Sequence, residues 1–205
     1  MQNTQVYVGD LPEDLVLKGS IAIDTEAMGL HLQRDRLCLV QMRDETGQVA
    51  MVHFPVGTRY HAPVLTKLLT DPSQLKIFHY ARFDVGMIYK WLGVWCGPIF
   101  CTKIASKLVR TYAQRHGLKD LCQELLSVEL SKQAQSSDWG NETLSSVQLA
   151  YAASDVLHLH ALKDRLEVML DREGRFDLAQ DLFKGLKSRV QLDLLGWDQD
   201  DIFSH

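Results

Sequence analysis

SIAIDTEA, residues 20–27, places apolar side chains at Ile21 and Ile23 and acids at Asp24 and Glu26. A period of two marks a β-strand, so both acids project to one face and both isoleucines to the other. The apolar face belongs in a core. The acidic face brings two carboxylates to one point, where they repel each other unless a divalent ion sits between them. Such a pair alone is a weak signal, and taken by itself it reads first as a strand end with one solvated face.

Two further segments carry acids where the surrounding pattern asks for core residues. Asp84 lies in HYARFDVGMI (79–88), and Tyr151 and Asp155 lie in QLAYAASDVLHL (148–159). Tyr151 and Asp155 are four residues apart on a helical pattern and therefore share a face. A carboxylate buried without a partner is costly, and four are tolerable only if cations neutralise them. Oxygen ligands without a Cys or His cluster suit Mg²⁺ or Mn²⁺ rather than zinc. These residues imply a metal-assisted enzyme acting on phosphate esters.

Composition narrows the class further. A hydrophobic fraction of 46% with 23% charged residues fits a soluble globular protein, and no apolar run reaches the length of a membrane span. The opening residues MQNTQVYVGDLPEDL lack the layout of a signal peptide, so a cytoplasmic location is expected. Cys38, Cys96, Cys101 and Cys122 have no metal-ligand spacing and read as reduced core residues. A net charge of −4 argues against a long basic track for nucleic acid. Lys103, Lys107, Arg110, Arg115 and Lys119 form only a loose basic grouping, with His116 among them.

Outward from SIAIDTEA, strands are expected in RLCLVQMRD (36–44) and GQVAMVHF (47–54), joined by the turn DETGQ. APVLTKLLTD (62–71) is helical up to Asp71-Pro72, LKIFHY (75–80) is a short strand, and ARFDVGMIYKWLG (81–93) is a helix stopped by Gly93. Helical spacing recurs in CTKIASKLVRTY (101–112), LKDLCQELL (118–126), 145–172 and 178–195. No linker or repeat interrupts the chain. One α/β domain over residues 1–205 is expected, with a mixed central sheet flanked by helices.

As an ordered set, the DTE strand, HYARFD and YAASDVLHL resemble the three motifs of the ribonuclease D-like branch of the DEDD 3′→5′ exonucleases. The tyrosine four residues before the last aspartate resembles the tyrosine subclass. HGLKDLCQELL (116–126) and LSKQAQSSDWG (130–140) resemble the connecting segment ahead of the third motif. Two departures stand out: Cys101 opens a segment where many relatives have aspartate, and the chain ends too soon for a C-terminal RNA-binding domain. Both make the chain most similar to the short bacterial nanoRNase C group, which degrades very short oligonucleotides.

The resemblance implies a ribonuclease H-like fold and a site in which Asp24, Glu26, Asp84 and Asp155 hold two Mg²⁺ or Mn²⁺ ions about 3.5–4 Å apart. It implies release of 5′-mononucleotides from the 3′ end of short RNA oligonucleotides, with DNA or longer RNA 3′ ends as the alternative substrate. Tyr151 is expected to orient the attacking water, because a phenol with a pKa of about 10 is a poor base at neutral pH. Leu30 and Met28 follow the first motif, and an apolar side chain there is a candidate wedge against the terminal base. Met28 fits the core equally well, so Leu30 is preferred. His79 is a candidate substrate contact, set against a structural role at the end of a strand. His158, three residues after Asp155, is a candidate for supporting it. Trp197, Ile202 and Phe203 in the acidic tail either fold back on their own domain or dock on a neighbouring subunit, and a homo-oligomer is expected.

Overall fold

In a computed structural model of the chain, residues 4–130 and 137–205 are described. Most of LSKQAQSSDWG, namely residues 131–136, lies outside them. Strands β1 (Thr4–Val8), β2 (Ile21–Ala27), β3 (Leu37–Asp44), β4 (Val49–His53), β5 (Lys76–Phe78) and β6 (Ile99–Cys101) form one sheet in the order β1-β4-β3-β2-β5-β6. The β2, β3 and β4 strands pair antiparallel, whereas β1, β5 and β6 each join in parallel. This is the mixed sheet expected from the sequence.

The two faces of β2 are divided as its alternation requires. Ile21 and Ile23 enter the main core with Val40, Met42, Ala50 and Val52. Cys38, Leu39, Val49 and Met51 face the other way, into a smaller core with Trp139, Leu144 and Ala152. Helix α5 (Ser146–Leu157) packs on β2 and β3 over that second face. Helices α1 (Pro63–Thr70), α2 (Ala81–Leu92), α3 (Thr102–Val109), α6 (Leu159–Arg172) and α7 (Phe176–Leu194) contribute to the main core.

Several boundaries follow from local chemistry. Pro63 occupies the first turn of α1, where its missing N–H costs nothing, and Asp10 accepts hydrogen bonds from the Val64 and Leu65 amides there. Gly93 ends α2 in the left-handed region, at φ 73°, as expected for a C-terminal stop. Residues 145–172 read as one periodic stretch, but they form two helices that break at His158 (φ −109°, ψ 0°). Apolar spacing continues through the break because α5 packs on β2 and β3, while α6 packs on α3 and β5. LKDLCQELL starts as α4 (Leu118–Leu121) and continues as a π-helical turn over Cys122–Leu126.

Candidate active site

Three elements meet at the C-terminal half of β2. That strand supplies Asp24 and Glu26, α2 supplies Asp84, and α5 supplies Tyr151 and Asp155. A carboxylate oxygen from each of Asp24, Glu26 and Asp155 lies within 4.8 Å of the other two. Asp84 is buried, and its Oδ1 accepts from the Thr25 amide at 3.0 Å and the Thr25 hydroxyl at 2.7 Å. The residue between the two acids of β2 thus anchors the acid contributed by α2.

Burial raises the pKa of all four carboxyls, and repulsion from neighbouring acids adds to it for Asp24, Glu26 and Asp84. Asp24 is held well above the usual carboxylate range by burial first, then by Asp84, Glu26 and Asp155. Glu26 is pushed up to about 9 by burial, Asp155 and Asp84. Burial raises Asp84 to about 7 against the opposing bonds from Thr25, and raises Asp155 to about 6 against the opposing Tyr151 hydroxyl. Among the described residues, no Lys or Arg forms an ion pair with any of the four. Four crowded acids without a cationic side chain fit a divalent cation as their counter-charge. The cysteines offer no competing soft site, since all four are buried free thiols.

Tyr151 is half-buried, and its ring packs on Trp139 with centroids 6.2 Å apart. Burial, together with the charges of Asp155 and Glu26, pushes its phenol above the ordinary value, so it stays protonated at neutral pH. Leu30 is 84% exposed, which leaves it free to touch a ligand. Met28 is also exposed and reaches toward Gly140, where an added Cβ would lie 3.1 Å from its methyl carbon. Gly29 separates them, and a Cβ there would come 2.2 Å from a carboxylate oxygen of Asp35. His79 is half-buried, and its Nδ1 lies 2.9 Å from the Thr102 hydroxyl. Burial and Lys103 hold its pKa at about 3, leaving a neutral ring. His158 is also held below its usual value, by burial and Arg43.

The basic grouping divides. Arg110 is buried, pairs with Glu124 and donates to the Ser106 hydroxyl, which lies 2.9 Å from His116 Nδ1. Lys107, Arg115 and Lys119 remain exposed. The tail lies against its own chain: Arg82 and Arg189 share Asp193, and their guanidinium groups also donate to the Trp197, Asp198 and Asp200 carbonyls. Trp197, Ile202 and Phe203 nevertheless keep exposed side chains. Leu30, Tyr80, Arg82, Phe83 and the tail residues Asp198 and Gln199 line a cleft of about 490 Å³.

Gln41 is a site residue that motif reasoning missed. It sits opposite Asp24 in the β2–β3 register, and its Nε2 donates to Asp24 Oδ2 at 2.7 Å. The signal was an amide in the middle of an otherwise apolar strand, where it requires a partner.

Residues 4–171 match the 3′-5′ exonuclease family. The chain belongs to that family. It is similar to Brucella melitensis NrnC bound to pGG, with 49% identity, all of both chains covered and a TM-score of 0.93. The same B. melitensis protein with bound Mg²⁺ gives 48% identity, full coverage of both and a TM-score of 0.92. Ribonuclease D of Gluconacetobacter diazotrophicus is 35% identical over 163 residues, which is 79% of this chain and 41% of that protein. The chain thus spans about two fifths of the length of the ribonuclease D relatives it matches. The exonuclease fold is the ribonuclease H-like one implied by the three motifs, and the resemblance to nanoRNase C holds over the whole chain.

Proposed function

We propose that the chain is a metal-dependent 3′→5′ exoribonuclease that hydrolyses short oligoribonucleotides, down to dinucleotides, to 5′-mononucleotides. The observation that carries this reading is the convergence of the Asp24, Glu26 and Asp155 oxygens within 4.8 Å, with Asp84 buried beside them. Asp24, Glu26, Asp84 and Asp155 hold two divalent cations, Mg²⁺ or Mn²⁺. Bound there, such cations supply activation of water and stabilisation of the departing 3′ oxygen.

The chain's own residues supply the positioning. Tyr151, kept protonated, orients the nucleophilic water through its hydroxyl and leaves proton abstraction to other groups. Leu30 wedges against the terminal base, with Met28 packed behind it on the Gly140 loop. His79, as a neutral ring, contributes at most a hydrogen bond to phosphate or sugar. One exonuclease domain over residues 1–205 performs the reaction, in the cytoplasm and as a homo-oligomer. No helix among the described residues is long and apolar enough to cross a membrane.

The short-substrate reading draws on the net charge of −4, since a dinucleotide presents few phosphates to neutralise. It also draws on similarity to NrnC, a relative that binds pGG. The alternative is 3′-end trimming of longer RNA or DNA. A 5′-labelled dinucleotide and a much longer RNA, incubated together with Mg²⁺ beside an EDTA control, separate the two. Rapid loss of the dinucleotide while the long RNA persists is expected. A descending ladder from the long RNA, with the dinucleotide left over, would establish the alternative. Turnover in EDTA would remove the metal-dependent reading.

A further inference from the structure

We infer that Gln41 is a positioning residue for the cation site, holding Asp24 in its ligating orientation; this rests on the metal-site reading above. Asp24 and Gln41 are direct partners across the antiparallel β2–β3 pair, so their side chains stand together on one face of the sheet. The Gln41 Nε2 donates to Asp24 Oδ2 at 2.7 Å, and the Gln41 side chain is completely buried. One carboxylate oxygen of Asp24 thus accepts a hydrogen bond from a buried amide, which favours one orientation of the group.

The alternative is that Gln41 merely fills space. On its own face of β3 the preceding residue, Leu39, is buried and apolar, whereas Val40 and Met42 point to the opposite face. Gln41 Oε1 is buried with no hydrogen-bond partner among the described residues. A methionine would fill similar volume without a desolvated, unpaired carbonyl. The orientation of the amide is also not interchangeable. A flip would point Oε1 at the Asp24 carboxylate, lone pair against lone pair. The polar contacts of this side chain go to the acids of β2: Nε2 donates to Asp24 Oδ2 at 2.7 Å, and a Gln41 hydrogen bond also opposes the rise of the Glu26 pKa, so the cost of its burial is tied to that acidic face. Residues that orient a metal ligand from behind in this way typically change metal affinity by about 10–100-fold when removed.

The test is calorimetric titration of metal-free protein with Mn²⁺, comparing wild type, Gln41→Met, Gln41→Asn and Asp24→Asn, with thermal unfolding of each apo protein as a check on folding. Gln41→Met keeps volume and loses the donor; Gln41→Asn keeps an amide but withdraws it by one methylene. Both are expected to weaken Mn²⁺ binding by about 10–100-fold. Turnover in both should recover as Mn²⁺ is raised, with substrate KM unchanged. If either folded variant binds Mn²⁺ like wild type while Asp24→Asn does not, Gln41 has no positioning role and the metal site stands. If Asp24→Asn itself binds like wild type, the site assignment fails instead.

Discussion

Asp155 and Tyr151 face the same point from one turn of α5, and the two should fail differently. Asp155→Ala removes a member of the three-acid cluster, so turnover is expected to fall by about 10²–10³-fold or more, with cooperative unfolding preserved. Near-normal turnover with divalent metal present would sink the assignment. Tyr151→Phe keeps the ring on Trp139 and loses only the hydroxyl. It should slow hydrolysis by roughly 10²-fold and leave Mn²⁺ affinity unchanged. An unchanged rate would mean that another group orients the water. These residues were legible in the sequence because each is polar where periodicity asks for an apolar side chain. Gln41 was not, since an amide carries no charge signal and its partner Asp24 is adjacent only once β2 and β3 pair. The tail was also open in the sequence. Its attachment depends on Arg82 and Arg189 converging on Asp193 from α2 and α7.

At the scale of elements, α5 matters most because it carries two of the five proposed catalytic groups. Its start is fixed by a capping box in which the Ser145 hydroxyl accepts from the Gln148 amide and Gln148 Oε1 accepts from the Ser145 amide. Gln148 also donates to the Asp138 carbonyl, tying the helix to the loop beneath it. Ser145→Ala is expected to cost about 1 kcal/mol of stability. In a chain of this size that lowers the thermal midpoint by about 2–4 °C, readable by scanning calorimetry. An unchanged midpoint would show that the cap contributes nothing. The long strands and helices were readable from their periods. The strands β1 and β6 escaped notice because one is a half-exposed edge and the other has three residues, too few to show an alternation. The break at His158 escaped notice because the apolar spacing runs through it.

For the whole molecule, the raised carboxyl pKa values couple stability to pH and to metal. Asp84 at about 7 and Glu26 at about 9 lie above their unfolded values near 4, so the folded protein binds more protons than the unfolded chain in between. Metal-free stability is therefore present in full below the unfolded values and is lost as pH rises through the folded ones. Between pH 6.5 and 8.5 the thermal midpoint in EDTA should fall. A Glu26→Gln variant should show a shallower fall. Mn²⁺ binds the deprotonated cluster, so it should raise the midpoint more at pH 8.5 than at pH 6.5. A midpoint in EDTA that is flat or rising over this window would contradict the raised carboxyl pKa values that burial, and secondarily repulsion, give this cluster.

The most direct measurement is anomalous scattering from crystals soaked in Mn²⁺. Two peaks are expected among the carboxylates of Asp24, Glu26, Asp84 and Asp155, about 3.5–4 Å apart, and both should vanish from an Asp24→Asn crystal. Mn²⁺ bound elsewhere while those four carboxylates stay empty would contradict the metal-dependent site on which the proposed chemistry depends.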